Sequence, residues 1–132
     1  MKLIASLSAA IFLLIGYVGY SQVERQYLEV DFLDVGQGDA ILIKTPAEQN
    51  ILIDGGPDKQ VLTRLGENLS FYDKKLDLVI LTHPHSDHVA GLVEVLKRYQ
   101  VKKILMTGVV HTAPDYLAFL TEIENQNLAI DR

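Results

Sequence analysis

Residues 81–92 read LTHPHSDHVAGL, so three of the chain's four histidines, His83, His85 and His88, fall within six positions of one another, with Asp87 among them. Neutral imidazole nitrogens and hard carboxylate oxygens are the donors that zinc or a similar divalent cation takes. An isolated histidine is commonly structural, whereas imidazoles clustered at this spacing beside a carboxylate have the pattern of a metal site. The chain has no cysteine, which excludes thiolate metal or redox centres and any disulfide framework. A metal here must be held by nitrogen and oxygen.

The elements that have to position these groups follow from hydrophobic period. Leu76–Leu81, LDLVIL, is an aliphatic run that reads as a strand buried on both faces. Pro84 pushes His83 toward extended backbone, so the strand direction continues through it. In an extended segment residues two apart share a side, which brings His83 and His85 together. Ser86 is then expected as the N-cap of a helix on which Val89, Leu92, Val93, Leu96 and Tyr99 form the apolar stripe. Asp87 and His88 open that helix and face back across the gap, so two adjacent divalent ions fit the set. A helix N-terminus repels cations, which gives Asp87 an electrostatic task besides ligation. Gly91 costs about 0.5–1 kcal/mol inside a helix and is explicable if another backbone passes close by.

Upstream, Tyr27–Leu33 alternates Leu28, Val30 and Phe32 with Glu29 and Asp31, the period of a half-buried strand. AILIK at 40–44 and ILID at 51–54 flank the turn-rich TPAEQN, so three strands, antiparallel, are expected to open the domain. Val61, Leu62 and Leu65 mark a short helix; KKILMTG at 102–108 reads as a strand and Thr112–Gln126 as a helix beginning with a cap. Strands alternating with helices make the fold class α/β. The first twenty residues differ, with Lys2 followed by an apolar or small run from Leu3 to Tyr20. A run of that length suits a signal peptide or a membrane anchor over residues 1–21. The formal charge is −5, and Lys2 is the only charge before Gln22, so the domain from Gln22 to Arg132 carries −6 and no general basic footprint for nucleic acid.

HPHSDH at 83–88, preceded by an aliphatic strand and a threonine, resembles the HxHxDH motif of the metallo-β-lactamase superfamily. FLDVGQGDAILI at 32–43 and ILIDGGP at 51–57 resemble the branch that contains the C-terminal domain of ComEC-type DNA-uptake proteins and related stand-alone, often exported hydrolases. The resemblance implies the N-terminal half of an αββα sandwich preceded by a hydrophobic helix, with the domain over residues 22–132 incomplete. It also implies two divalent ions, zinc first and manganese as an alternative. His83 and His85 would hold the first; Asp87 and His88 would serve the second, with Asp87 beside a bridging water. Asp54 matches the family aspartate that orients the metal-binding loop from behind; the alternative is a turn carboxylate before Gly55 and Gly56. Gln37 and Asp39 lie in a loop that the branch places near the site, as weaker candidates for substrate contact. His111 follows its strand too soon to match the family's third histidine ligand and reads as a loop residue.

The implied activity is metal-dependent hydrolysis, with a phosphodiester or nucleic acid as substrate, by a membrane-anchored or exported protein whose catalytic domain is extracytoplasmic. Two divalent ions would add about four positive charges locally, so the acidic balance does not oppose an anionic substrate. A hydrolase of another ester, a lactone, a thioester or a β-lactam would share the same loop. A third possibility is an inactive chain that lacks the ligands the family carries further along.

Overall fold

The computed structural model describes residues 11–14 and 27–132. Residues 11–14 are a turn of helix with all four side chains exposed. The remainder of the 1–21 leader reading lies outside the described residues, among which no helix is long and apolar enough to cross a membrane.

In chain order the elements are β1 (Glu29–Phe32), β2 (Ile41–Lys44), β3 (Asn50–Ile53), α1 (Gln60–Asn68), β4 (Lys75–Leu76), β5 (Leu78–Leu81) and α2 (Ser86–Arg98), followed by β6 (Gln100–Val101), β7 (Lys103–Met106), α3 (Pro114–Asn125) and β8 (Ala129–Asp131). The main sheet runs β1-β2-β3-β5-β7-β8, and β4 pairs with β6 beside it. β1, β2 and β3 are antiparallel neighbours, as the turn-rich connections require, whereas β3, β5, β7 and β8 are parallel. Helices bridge the parallel strands because a parallel pair needs a crossover. The α/β reading holds.

One sheet face carries Leu42, Leu52, Val79, Leu81, Ile104 and Met106, which share a single core with Val61 and Leu65 of α1, Val89, Leu92 and Leu96 of α2, and Phe119 and Ile123 of α3. β1 contributes its charged side to this face. Its register sets Glu29 opposite Lys44 and Asp31 opposite Leu42. The buried Lys44 Nζ lies 2.9 Å from Glu29 Oε1 and 2.9 Å from Asp31 Oδ2. Burial works against the Lys44 ammonium, and the two carboxylates outweigh it and raise its pKa. The apolar side of β1 therefore faces the opposite way, with Val30 43% and Phe32 79% exposed. On that second face Ile41, Ile43, Ile51, Ile53, Leu78 and Ile80 are only half-buried.

Three local expectations are corrected. LDLVIL is two strands rather than one, and its Leu78 and Ile80 are half-buried rather than enclosed. Asp77 divides it by turning to Asn50: its N–H donates to Asn50 O at 2.8 Å and its Oδ2 accepts the Asn50 N–H at 3.0 Å. Burial would raise the Asp77 pKa, but Lys102 and the Asn50 N–H outweigh it and hold the carboxyl below its ordinary range. Second, the N-cap of α2 is His85, not Ser86, because the His85 carbonyl accepts the N–H groups of His88 and Val89, both at 3.0 Å. Third, α3 starts one residue after its N-cap Ala113 with Pro114 in the first turn, and Thr112 makes no cap. β8 has no counterpart among the elements expected from sequence.

Candidate metal centre

β1, β3, β5 and β7 all run the same way, so the segments that follow them emerge at one edge of the sheet. Ligand sites of open α/β sheets form at that carboxyl edge. Here it receives residues 33–40 after β1, Asp54–Pro57 after β3, Thr82–His85 after β5 and residues 107–113 after β7.

The four motif side chains are gathered there. The His83 ring lies 3.8 Å from that of His88 and 4.9 Å from that of His85, centroid to centroid. His88 Nε2 is 3.7 Å from Asp87 Oδ2. Two sets of ligand atoms lie within 4.8 Å of one another, His83 with His85 and Asp87, and His83 with His88 and Asp54. Donors sharing one zinc at about 2.0–2.1 Å stand at most about 4 Å apart, so a common ion requires side-chain adjustments of about an ångström. Capping does not occupy the His85 ring, since α2 has no side-chain cap bond.

Asp54 engages one nitrogen of His88 and, through Thr82, one of His83. Its Oδ1 accepts the Thr82 N–H at 2.9 Å, and its Oδ2 accepts the Thr82 hydroxyl at 2.6 Å. Oδ2 also lies 2.9 Å from His88 Nδ1. A carboxylate can only accept, so Nδ1 of His88 carries hydrogen, and the neutral ring in that tautomer presents Nε2 as its bare nitrogen. Thr82 spends its hydrogen on Asp54, so across the 3.0 Å to His83 Nδ1 its oxygen accepts, and His83 too offers Nε2. One buried carboxylate thus sets two tautomers, the arrangement by which metal-binding imidazoles are held in orientation. Asp54 does this from φ +56°, a left-handed conformation that non-glycine residues seldom adopt and that recurs at functional sites. Thr82 had no role assigned from sequence; its position directly before His83 was the available signal.

Backbone contacts lock the loops together. The Gly55 N–H donates to His88 O at 2.8 Å and the Gly91 N–H to Gly56 O at 3.0 Å. A Cβ on Gly91 would overlap the Gly55 carbonyl oxygen, and one on Gly38 would overlap that of Asp87. The close approach expected at Gly91 is therefore present. Of the weaker candidates, Asp39 places Oδ2 3.9 Å from His88 Nδ1 with its side chain 73% exposed, and Gln37 is exposed in the preceding bend. His111 sits in the loop after β7, its ring 5.9 Å from that of His85.

This is an α/β sheet with a histidine–aspartate cluster able to hold a metal at its carboxyl edge. Residues 33–128 match the family described as the metallo-beta-lactamase superfamily, and the chain belongs to it. It is 30% identical over 120 residues to ComE operon protein 3 of Bacillus subtilis (strain 168), covering 78% of this chain and 16% of that protein. That match agrees with the ComEC-like branch that the motifs resemble. A metallo-beta-lactamase fold-containing protein of Sulfurisphaera tokodaii is 36% identical over 58 residues, 44% of this chain and 20% of its own length. Similar solved structures include a subclass B3 metallo-beta-lactamase from a soil metagenome library, at 28% identity and TM-score 0.44 over 62% of this chain and 33% of that one. A diphosphatase of the PhnP family is also similar, at 19% identity and TM-score 0.43 over 71% of this chain and 36% of that one. The chain thus spans between about a sixth and about a third of the length of these relatives.

Proposed function

We propose that this chain carries the metal-binding loop of a hydrolase acting on phosphodiesters, with nucleic acid as the substrate class. The observation that carries the reading is the Asp54 network, which engages Nδ1 of both His83 and His88 and so selects the tautomer whose Nε2 is free to ligate, beside His85 and Asp87. Preference for a phosphodiester rests on the motifs of the ComEC-like branch. When bound, divalent ions supply a water of lowered pKa and positive charge against the developing oxyanion. The chain's own residues do the rest. His83, His85, Asp87 and His88 hold the ions, with zinc fitting the nitrogen and oxygen donors and manganese the alternative. Asp54 and Thr82 keep His83 and His88 in the ligating tautomer, and Asp87 sets negative charge at the positive end of α2. Asp39 and Gln37 stand at the open side, where substrate would approach.

The test is zinc uptake by the purified chain, followed by turnover of bis(p-nitrophenyl) phosphate, a thioester, a lactone and a chromogenic β-lactam with zinc or manganese. Metal-dependent phosphodiester turnover that disappears in His85→Ala is the expected outcome. Turnover confined to another ester class overturns the substrate, and zinc binding without turnover of any class selects the reading in which this chain has no activity of its own.

We also propose that residues 3–20 tether or export the protein, because an apolar run of that length matches the thickness of a bilayer. Expression with fractionation should place the chain with membranes or outside the cytoplasm; full recovery of the intact chain in the soluble cytoplasmic fraction would refute this.

A further inference from the structure

The loop that follows β7, residues 107–113, leaves the sheet at the same edge as the metal-binding loop and brings a fourth imidazole to it. The His111 ring stands 5.9 Å from that of His85, at 65° to its plane. His111 Nδ1 accepts a hydrogen bond from the Ala113 N–H at 3.2 Å. Only an unprotonated nitrogen can accept, so the neutral ring carries its hydrogen on Nε2. A nitrogen bearing hydrogen is not a metal ligand. Consistently, His111 belongs to neither converging group of ligand atoms among the described residues.

The loop is braced in this position. Ala113 is the N-cap of α3 and packs against the core. Tyr116, one turn along the helix, is buried and donates its hydroxyl to the Val109 carbonyl at 2.9 Å, while its ring lies 6.2 Å from that of His111. The Ala113 bond and the Tyr116 tie hold a half-buried imidazole beside the exposed His85, and its Nε2–H has no hydrogen-bond partner among the described residues.

We propose that His111 is a catalytic residue that touches the substrate and not the metal: its Nε2–H donates to an oxygen of the anionic group held at the centre. This rests on the proposed metallo-hydrolase reading and deepens it by assigning the first substrate contact outside the metal ligands. A hydrogen bond to a charged group is worth about 1.5–3 kcal/mol, so its loss weakens anion binding roughly ten- to hundredfold.

The experiment loads the full chain with zinc, measures metal per chain by elemental analysis, and titrates inorganic phosphate calorimetrically into the wild type, His111→Ala and His111→Gln. Glutamine keeps an N–H donor at the same reach. The expected result is unchanged zinc content throughout, phosphate affinity lowered roughly ten- to hundredfold in His111→Ala, and most of it regained in His111→Gln. Unchanged phosphate affinity in zinc-loaded His111→Ala overturns this inference and leaves the metallo-hydrolase reading standing. Loss of zinc from both variants overturns it by making His111 a ligand. A wild type that takes up no zinc overturns the metallo-hydrolase reading itself, and this inference with it.

Discussion

Gly91→Ala is expected to destabilise the chain by roughly 3 kcal/mol, although the same substitution inside an ordinary helix stabilises by up to about 1 kcal/mol. The sign reverses because of what the helix touches. A Cβ on Gly91 would overlap the Gly55 carbonyl oxygen and lie 2.7 Å from that of Asp58. Both obstacles are backbone, so no rotamer change relieves them, and α2 must move away from the turn after β3. That movement would stretch the bond from the Gly55 N–H to His88 O and draw His88 away from Asp54. The matched control is Gly66→Ala in α1, where a Cβ meets nothing within 4 Å, so this helix position should show the ordinary gain. Urea unfolding of the two variants reads both signs. A Gly91→Ala chain as stable as the wild type would show that α2 does not dock on the Gly55–Gly56 turn as described.

Where the determinants are local, the sequence was informative. The antiparallel opening strands and helices α1 and α2 follow from period and turn residues, and all four motif side chains fall within six positions, so their convergence needs only one strand end and one helix start. Gly91 was legible because glycine in a helix interior demands a reason. What the sequence did not reveal depends on partners distant in the chain. The alternation of β1 is plain, but which side faces the helices is decided by Lys44, which draws Glu29 and Asp31 inward and leaves Phe32 outside. LDLVIL reads as one strand until Asn50 and Lys102 claim Asp77, its second residue. The placements of Thr82 and His111 belong to the same category. Each requires knowing that β3, β5 and β7 lie side by side, so that a threonine after β5 meets a carboxylate after β3 and a histidine after β7 reaches the ring of His85.

Asp54→Asn is expected to lower zinc affinity roughly ten- to hundredfold, the usual cost of removing the partner that orients a metal-binding imidazole. The substitution is nearly isosteric, and asparagine is among the few residues that tolerate positive φ, so the backbone at +56° is left without added strain. What changes is hydrogen-bond direction. The Asp54 carboxylate accepts three hydrogens, from the Thr82 N–H, the Thr82 hydroxyl and His88 Nδ1, and an amide presents one accepting oxygen and one donating nitrogen in their place. If the amide nitrogen takes the Oδ2 position, it donates to His88 Nδ1, which moves the ring hydrogen to Nε2 and removes that ligand. It also ceases to accept the Thr82 hydroxyl, so the His83 tautomer is released as well. If the amide is turned over, its nitrogen instead opposes the Thr82 N–H and leaves two donors facing each other. Either orientation damages the site while His83, His85, Asp87 and His88 all keep their side chains, which separates Asp54→Asn from His85→Ala. Competition against a chelator of known zinc affinity measures the loss, and thermal unfolding of the metal-free chain shows how much of it is structural. A variant that binds zinc as tightly as the wild type would mean that Asp54 does not govern the imidazole tautomers, and the carboxylate would revert to a turn residue before Gly55.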